Sequence, residues 1–465
     1  MKSAFLDYYH CPESLVTFTL AGNPSSGSGY FRFGRDVICY GHCTGDPPAE
    51  HVTDELYDAI RDVERSEDTL RLTFNPSEII QNLRYERYAS SGDQKDAGLL
   101  GRRLPHHAYY ALRPLLPIWM RRYAQRIRLK NWKGIPFPKW PVDATVELIL
   151  ERLMALLLGA ERADRIPFIW FWPNGAPSCA IMTHDVESEA GRDACYSLMD
   201  LDDAYGVKSS FQIIPEGRYR VSRPFLEEIR SRGFEINIHD LNHDGHLFDD
   251  QKQFLLRAGR INAYGKDWKA QGFRSGVLYR NLDSFGALDF SYDMSVPSVG
   301  HLEAQRGGCC SVMPFFLGRI LELPVTTTQD YSLFHILNQY STALWKHQTA
   351  RIMERHGLAS FIAHPDYVAE ARARDTYQSL LGHLANLRDE RKVWIALPGE
   401  VNQWWRARSQ MKLTARANTW AIEGPQSDRA RVAYAALEGD HLVYEVEPQS
   451  DNLGAMKEST REKAA

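Results

Sequence analysis

From residue 166 to residue 408 the chain alternates short apolar segments with helical ones, and its chemistry-bearing residues fall where the apolar segments end. Segments at 179–183, 209–214, 234–238, 290–295, 320–325, 360–363 and 393–397 carry the β-branched, aromatic and alternating character of strands. Between and after them, 192–204, 223–232, 251–264, 334–355, 376–388 and 400–408 carry helical character. Repeated β-α order implies a parallel sheet or barrel with its site at the C-terminal strand ends. Seven such strands predict an incomplete barrel rather than a regular eightfold one.

The stretch 234–246, FEINIHDLNHDGH, delivers His239, His243 and His246 to the end of one strand. His239 and His243 are four apart, so a helical turn after the strand would set both imidazoles on one face, where neutral ring nitrogens hold a divalent cation. Taken alone, the spacing also suits a solvated His/Asp-rich loop. The stretch 180–187, AIMTHDVE, is a second apolar strand ending in acids, and carboxylates and imidazoles at neighbouring strand ends favour a site.

A chain of 465 residues exceeds the ~250–300 at which single cores stop growing, so several domains are expected. Residues 1–105 read as an α+β region, with strands at 15–20 and 30–40 and a short helix at 54–63. Residues 106–165 form a connector, 166–410 the barrel, 411–448 a small β appendage and 449–465 a disordered tail. Within the connector, 113–132 carries six basic residues and no acidic one, interleaved with apolar and aromatic side chains. Such a segment suits peripheral contact with an anionic membrane surface, or an ordinary helix packed on the catalytic domain. A net charge of -4 gives no reason to bind nucleic acid. No signal peptide and no membrane span is visible, so a cytoplasmic place is expected, extending to the inner membrane surface. Seven scattered cysteines suit buried thiols rather than a disulfide framework.

MTHDVES, HDLNHDGH, GFRSGVLYRN (272–281), ILELPVTTTQDY (320–331) and FIAHPDY (361–367) each follow or end a predicted strand. In this order they resemble the polysaccharide deacetylase family, carbohydrate esterase family four, over residues 176–408. The resemblance implies a distorted (β/α)7-type barrel, here with an N-terminal α+β extension and a C-terminal β appendage. It implies a metal-dependent hydrolase that removes acetyl groups from N-acetylated sugars. Asp185 matches the family's catalytic base. Val186 stands where the second aspartate is usual, which moves the carboxylate ligand to Glu187, two residues along the strand on the face of Asp185. His184 is a weaker substitute. His239 and His243 match the remaining ligands and His364 the general acid. Arg274 matches the arginine that orients the base, with Gly276 where proline is common and Arg280 as a competitor. Asp330 resembles the acid that fixes the histidine tautomer, with Asp293 as the alternative. His246, Tyr279 and Tyr331 are candidate substrate contacts.

These residues give an expected substrate, an N-acetylated carbohydrate or polysaccharide precursor, lipid-linked in one version, with zinc first among the metals and cobalt, nickel, manganese and iron acceptable. Two other readings stay open: hydrolysis of linear or cyclic amides that are not sugars, and a non-catalytic barrel that binds glycan or scaffolds a complex.

Overall fold

The structure is a computed structural model that describes residues 1–66, 69–89, 127, 129, 131–159, 164–417 and 419–448. The expected connection at 90–96, nearly all of the basic segment 113–132 and the tail from 449 lie outside them. The chain divides into two compact units: Met1–Asn82 with Thr145–Pro177 and Gln403–Ala465, and Leu83–Ala144 with Ser178–Asn402.

The first unit is assembled from three stretches far apart in sequence. Arg165–Ile169 pairs antiparallel with Val432–Glu438, which pairs with His441–Val446. The appendage strands therefore belong to a sheet that recruits a strand from upstream. Arg408, buried, ties the unit by donating to the carbonyls of Tyr8, Ile169 and Trp170 at 2.8, 2.6 and 3.0 Å. The strand expected at 30–40 is a hairpin, Gly29–Arg32 with Ile38–Gly41. The helix expected at 54–63 shrinks to the 3-10 turn Ala59–Asp62, capped by Asp58, too short to propagate an α-helix.

The second unit holds the barrel. Its strands are β1 (Cys179–Val186), β2 (Ser209–Ile213), β3 (Glu235–His239), β4 (Gly272–Arg274), β5 (Tyr292–Asp293), β6 (Phe315–Leu317), β7 (Ile320–Glu322), β8 (Leu358–Ala363) and β9 (Trp394–Ala396). The order is β6-β7-β5-β4-β3-β2-β1-β8, with β9 also on β1, and only β6 runs antiparallel. The result is a curled, mostly parallel half-barrel in a mixed α/β chain, with extra sheets from both termini. Helices α1 (Glu189–Ala204), α2 (Arg223–Ser231), α3 (Gln251–Asp267), α4 (Ala343–Met353) and α5 (Ala371–Arg391) provide the crossovers and the C-terminal connection.

Every position of β1 is buried, as a central parallel strand requires. Its period of two sorts the side chains: Ala180, Met182 and Val186 enter the apolar core with Cys195, Leu198 and Phe211, which leaves Thr183 and Asp185 on the other face. The barrel seam is closed by hydroxyls. Just past β7, Thr326 Oγ1 donates to Leu358 O at 2.7 Å and accepts from Ser360 N at 2.9 Å, and Thr327 Oγ1 donates to Ser360 O at 2.7 Å. These bonds supplement the single backbone bond from Thr327 N to Ser360 O, at 3.3 Å, beside β8.

The strands β4 and β6 have no counterpart among the seven predicted segments, being three residues long and without periodicity. The expected helix 334–355 is broken into a π-turn, Ser332–Ile336, and α4. All seven cysteines are free and buried. No helix among the described residues is long and apolar enough to cross a membrane.

Candidate metal centre

Strand register brings the motifs level. His239 pairs with Arg274 across β3–β4, and Ala363 pairs with His184 across β8–β1, so residues at four strand ends meet at one end of the barrel. Glu187, two residues past Asp185, keeps the face of Asp185, whereas Val186 is buried in the apolar core. A carboxylate at 186 on that face would be a desolvated charge among hydrocarbon.

Glu187 Oε1 is the focus. It lies 2.9 Å from His243 Nε2, 3.6 Å from His239 Nε2 and 3.5 Å from His364 Nε2. Asp185 Oδ2 is 3.8 Å from His239 Nε2. Asp185 Oδ1 accepts from Arg274 Nη1 at 2.6 Å, and the same nitrogen reaches Thr183 Oγ1 at 2.9 Å, while Arg274 Nε donates to Met294 O at 2.9 Å. Asp330 accepts from His364 Nδ1 and from His364 N, both at 2.6 Å. Two overlapping groups have ligand atoms close enough to share one ion: Glu187, His239 and His243, and Asp185, Glu187 and His364.

The fit to a metal rests on orphaned atoms. His239 Nε2 and His243 Nε2 are buried and have no hydrogen-bond partner; even the 2.9 Å approach of His243 to Glu187 lacks hydrogen-bond direction. His239 Nδ1 lies 3.2 Å from Arg274 O, which takes its proton and leaves Nε2 as a lone pair. Two imidazole nitrogens and a carboxylate oxygen, with no better partner than a cation, make a donor set for a borderline divalent ion.

Electrostatics follow the geometry. Burial opposes charge on Asp185, yet the Arg274 guanidinium and His239 outweigh it and hold the carboxyl below its usual range. Burial likewise opposes charge on Glu187, and His243 with its neighbours holds it well below. For His243 and His364 burial favours the neutral ring, but Glu187 raises the first and Asp330, with Glu187, raises the second well above the usual imidazole value. In the metal-free site His243 therefore binds its proton more tightly than a free imidazole, and a metal must displace it. Metal affinity is expected to fall as pH drops through that raised value, up to about tenfold per pH unit for one displaced proton; titrating metal affinity between neutral and mildly acidic pH checks this.

His239 and His243 do not lie on a helical turn. The residues after β3 form an irregular loop in which Asp240 and His243 take φ of 57° and 53°. A Cβ on Gly276 would lie 2.5 Å from Asp240 Oδ2 and 3.0 Å from His243 Cδ2, so glycine rather than proline is needed where that loop approaches. His184 points away from the group: its ring nitrogens lie 3.1 Å from Ala363 O and 3.1 Å from Asp202 Oδ2. Arg280 is engaged by Glu86, at 2.6 Å from Nε, rather than by Asp185. Asp293 accepts from Ser295 N and Oγ, both at 2.8 Å, and sits opposite Glu322 rather than at His364. His246 bonds Asp249 at 2.7 Å and stands outside the ligand-capable groups. Tyr279, half-buried, follows the turn Gly276–Leu278. Tyr331 packs on His335 and Tyr367, and Tyr367 packs on His364 with centroids 4.8 Å apart. The sequence reading passed over His335 and Thr183; Thr183, two residues before Asp185 on the same strand face, was within reach of the period-two argument.

No family profile matches the chain, and no curated protein matches it. Solved structures of polysaccharide deacetylases match about half of it. A protein from Mycobacterium smegmatis described as a polysaccharide deacetylase aligns at 16% identity and a TM-score of 0.43, covering 54% of this chain and 98% of its own. A peptidoglycan deacetylase from Bacillus subtilis aligns at 10% identity and a TM-score of 0.31, covering 49% and 90%. A protein from Bordetella bronchiseptica described as a polysaccharide deacetylase involved in O-antigen biosynthesis aligns at 16% identity and a TM-score of 0.29, covering 55% and 90%. The second unit is a curled, mostly parallel half-barrel. At its C-terminal strand ends it carries a His/Asp/Glu group able to hold a metal.

Proposed function

We propose that this chain is a metal-dependent hydrolase that removes acetyl groups from an N-acetylated sugar or polysaccharide precursor, with Zn2+ the first ion to test and Co2+, Ni2+, Mn2+ and Fe2+ chemically acceptable. The observation that carries the reading is the convergence of His239 Nε2, His243 Nε2 and Glu187 Oε1 between two proton-handling pairs, Asp185–Arg274 and His364–Asp330. His239, His243 and Glu187 would hold the ion, which when bound polarises an amide carbonyl and makes water a better nucleophile near neutral pH.

The protein's own groups supply the proton transfers. Asp185, kept ionised by Arg274 at Oδ1, takes the proton of the attacking water at Oδ2, which Arg274 leaves open. Arg274 has no freedom to swing, since Met294 O and Thr183 Oγ1 hold it as well. Across the site, Asp330 fixes Nδ1 of His364 and raises its proton affinity, so His364 Nε2 carries a proton for the departing amine nitrogen. Base and acid both reach the Glu187 carboxylate, with ligand atoms of Asp185, Glu187 and His364 within 4.8 Å of one another.

Metal analysis of purified protein, with acetate release from N-acetylated chitooligosaccharides assayed on the same samples, tests the reading. About one ion per chain is expected, with acetate release abolished by chelation and restored by adding the ion back. Acetate release that survives complete chelation would overturn it.

A further inference from the structure

The sheet itself fixes only one of the three candidate ligands. His239 closes β3, and its Nδ1 lies 3.2 Å from Arg274 O. The other two stand past the ladder. Register pairing along β1 ends at Val186 with β2 and at His184 with β8, so Glu187 follows the last rung on both sides. His243 lies four residues beyond β3, in an irregular loop and at its own φ of 53°. A ladder or a helical turn sets the direction of a side chain, and these two ligands have neither.

Segment 216–219, between β2 and α2, reaches both. Glu216 N donates to Leu241 O at 3.0 Å, Arg218 Nε donates to Asn242 O at 3.2 Å, and Arg218 Nη2 donates to His243 O. Tyr219 serves the other ligand: its hydroxyl donates to Val186 O at 2.7 Å and accepts from Ile214 N at 3.1 Å. That hydroxyl stands in for one more rung between β1 and β2, at the residue just before Glu187. Between the two sets of contacts Gly217 takes φ of 79°, a turn that glycine makes without strain. The acceptors are not scattered: Leu241, Asn242 and His243 lead to one ligand, and Val186 precedes the other. Arg218 is exposed, and its positive field reaches the His243 ring, where it opposes a second cation. Its two bonds act in the opposite sense, favouring the loop shape that presents His243.

We propose that segment 216–219 is a brace that presents Glu187 and His243 to a divalent cation, with Tyr219 and Arg218 as positioning residues acting through the carbonyls of residues 186, 242 and 243. The inference rests on the metal centre of the reading above and deepens it. Two of the three ligands then depend on one segment outside the motifs, and loosening it weakens the hold on the ion without touching a ligand.

The test measures Zn2+ affinity by competition with a chromophoric chelator in wild type, Tyr219→Phe, Arg218→Met and Ser178→Ala, beside the melting temperature of each chelated protein. Tyr219→Phe and Arg218→Met are each expected to weaken Zn2+ binding roughly ten- to a hundredfold, the usual size for losing an outer partner of a metal ligand. For Arg218 the sign is diagnostic, because a residue acting only through its charge would bind the cation tighter once that charge is removed. Ser178, whose hydroxyl donates to Gly357 O just before β1 begins, is the control. Its loss is expected to lower the melting temperature and leave Zn2+ affinity in place, since a bond that only stabilises the fold shifts unfolding rather than the folded protein's affinity. Unchanged affinity in Tyr219→Phe would overturn the brace, as would unchanged or tighter binding in Arg218→Met, or a wild type that binds no Zn2+. Should Tyr219→Phe fail to fold, Arg218→Met, at an exposed position, decides. A wild type that binds Zn2+ but releases no acetate removes the hydrolase reading, while the variants' affinities still decide the brace.

Discussion

A variant carrying both His239→Ala and His243→Ala is expected to purify with only a trace of metal, against about one ion per chain expected in the wild type, and to lose acetate release by roughly 10³-fold or more. Two of the three donors of the Glu187, His239 and His243 group vanish, and the neutral imidazoles that suit a borderline ion go with them. The fold should survive. In the metal-free protein truncation removes two buried, unpartnered Nε2 atoms and the ring packing at 4.9 Å, but it also takes from Glu187 the imidazole that favours its charged carboxylate, so gains and losses oppose one another. The variant's melting temperature is therefore expected near that of chelated wild type, and below that of the loaded protein. Linkage puts the gap at about 2.7 kcal/mol when free metal is a hundred times the dissociation constant. Metal content, melting with and without chelator, and acetate release on one preparation check all three. Retention of a stoichiometric ion in the variant would place the metal elsewhere and dissolve the centre described above.

Much of this centre was legible because strands carry a period of two. Asp185 and Glu187 share a face for that reason alone, and the helix-facing role of Val186 follows from the same alternation. The β-α order likewise announced a parallel sheet with its site at the C-terminal ends. What escaped the sequence depends on contacts without periodicity. The strands β4 and β6, three residues each, exist because their neighbours supply the ladder. The His239–His243 loop takes its shape from two positive-φ residues and from the space at Gly276, none of which a four-residue spacing reveals. Arg280 stood as a competitor to Arg274 in the motif, and only the tertiary position of Glu86, nearly two hundred residues upstream, separates a structural ion pair from the one that faces Asp185.

The second large effect falls on Asp185. Asp185→Asn keeps the shape of the side chain, and its amide oxygen can still accept from Arg274, but it cannot take a proton from water. Acetate release is expected to fall about 10²- to 10⁴-fold, the range for losing a positioned general base, with the fall in kcat rather than KM. Metal content should stay near one per chain, since Glu187, His239 and His243 are untouched. That combination separates loss of the base from loss of the ion, which the double histidine variant cannot do. The substitution also carries a stability cost with a definite origin. Arg274 is fully buried, and its Nη2 already lacks a partner, so the Asp185 carboxylate provides the close anion at 2.6 Å that offsets the guanidinium's desolvation. Removing that charge takes from the buried guanidinium its hydrogen-bonded anion, for which a loss of about 3 kcal/mol is expected, visible as a lower urea midpoint at unchanged slope. Replacing Arg274 as well, in Asp185→Asn/Arg274→Met, should recover part of the stability while leaving activity at the floor. Buried charges retained against their own stability cost are what a proton-transfer site requires, and a double variant more stable than Asp185→Asn yet no more active would locate that requirement in this pair. Full activity in Asp185→Asn would instead move the base to another group on the site.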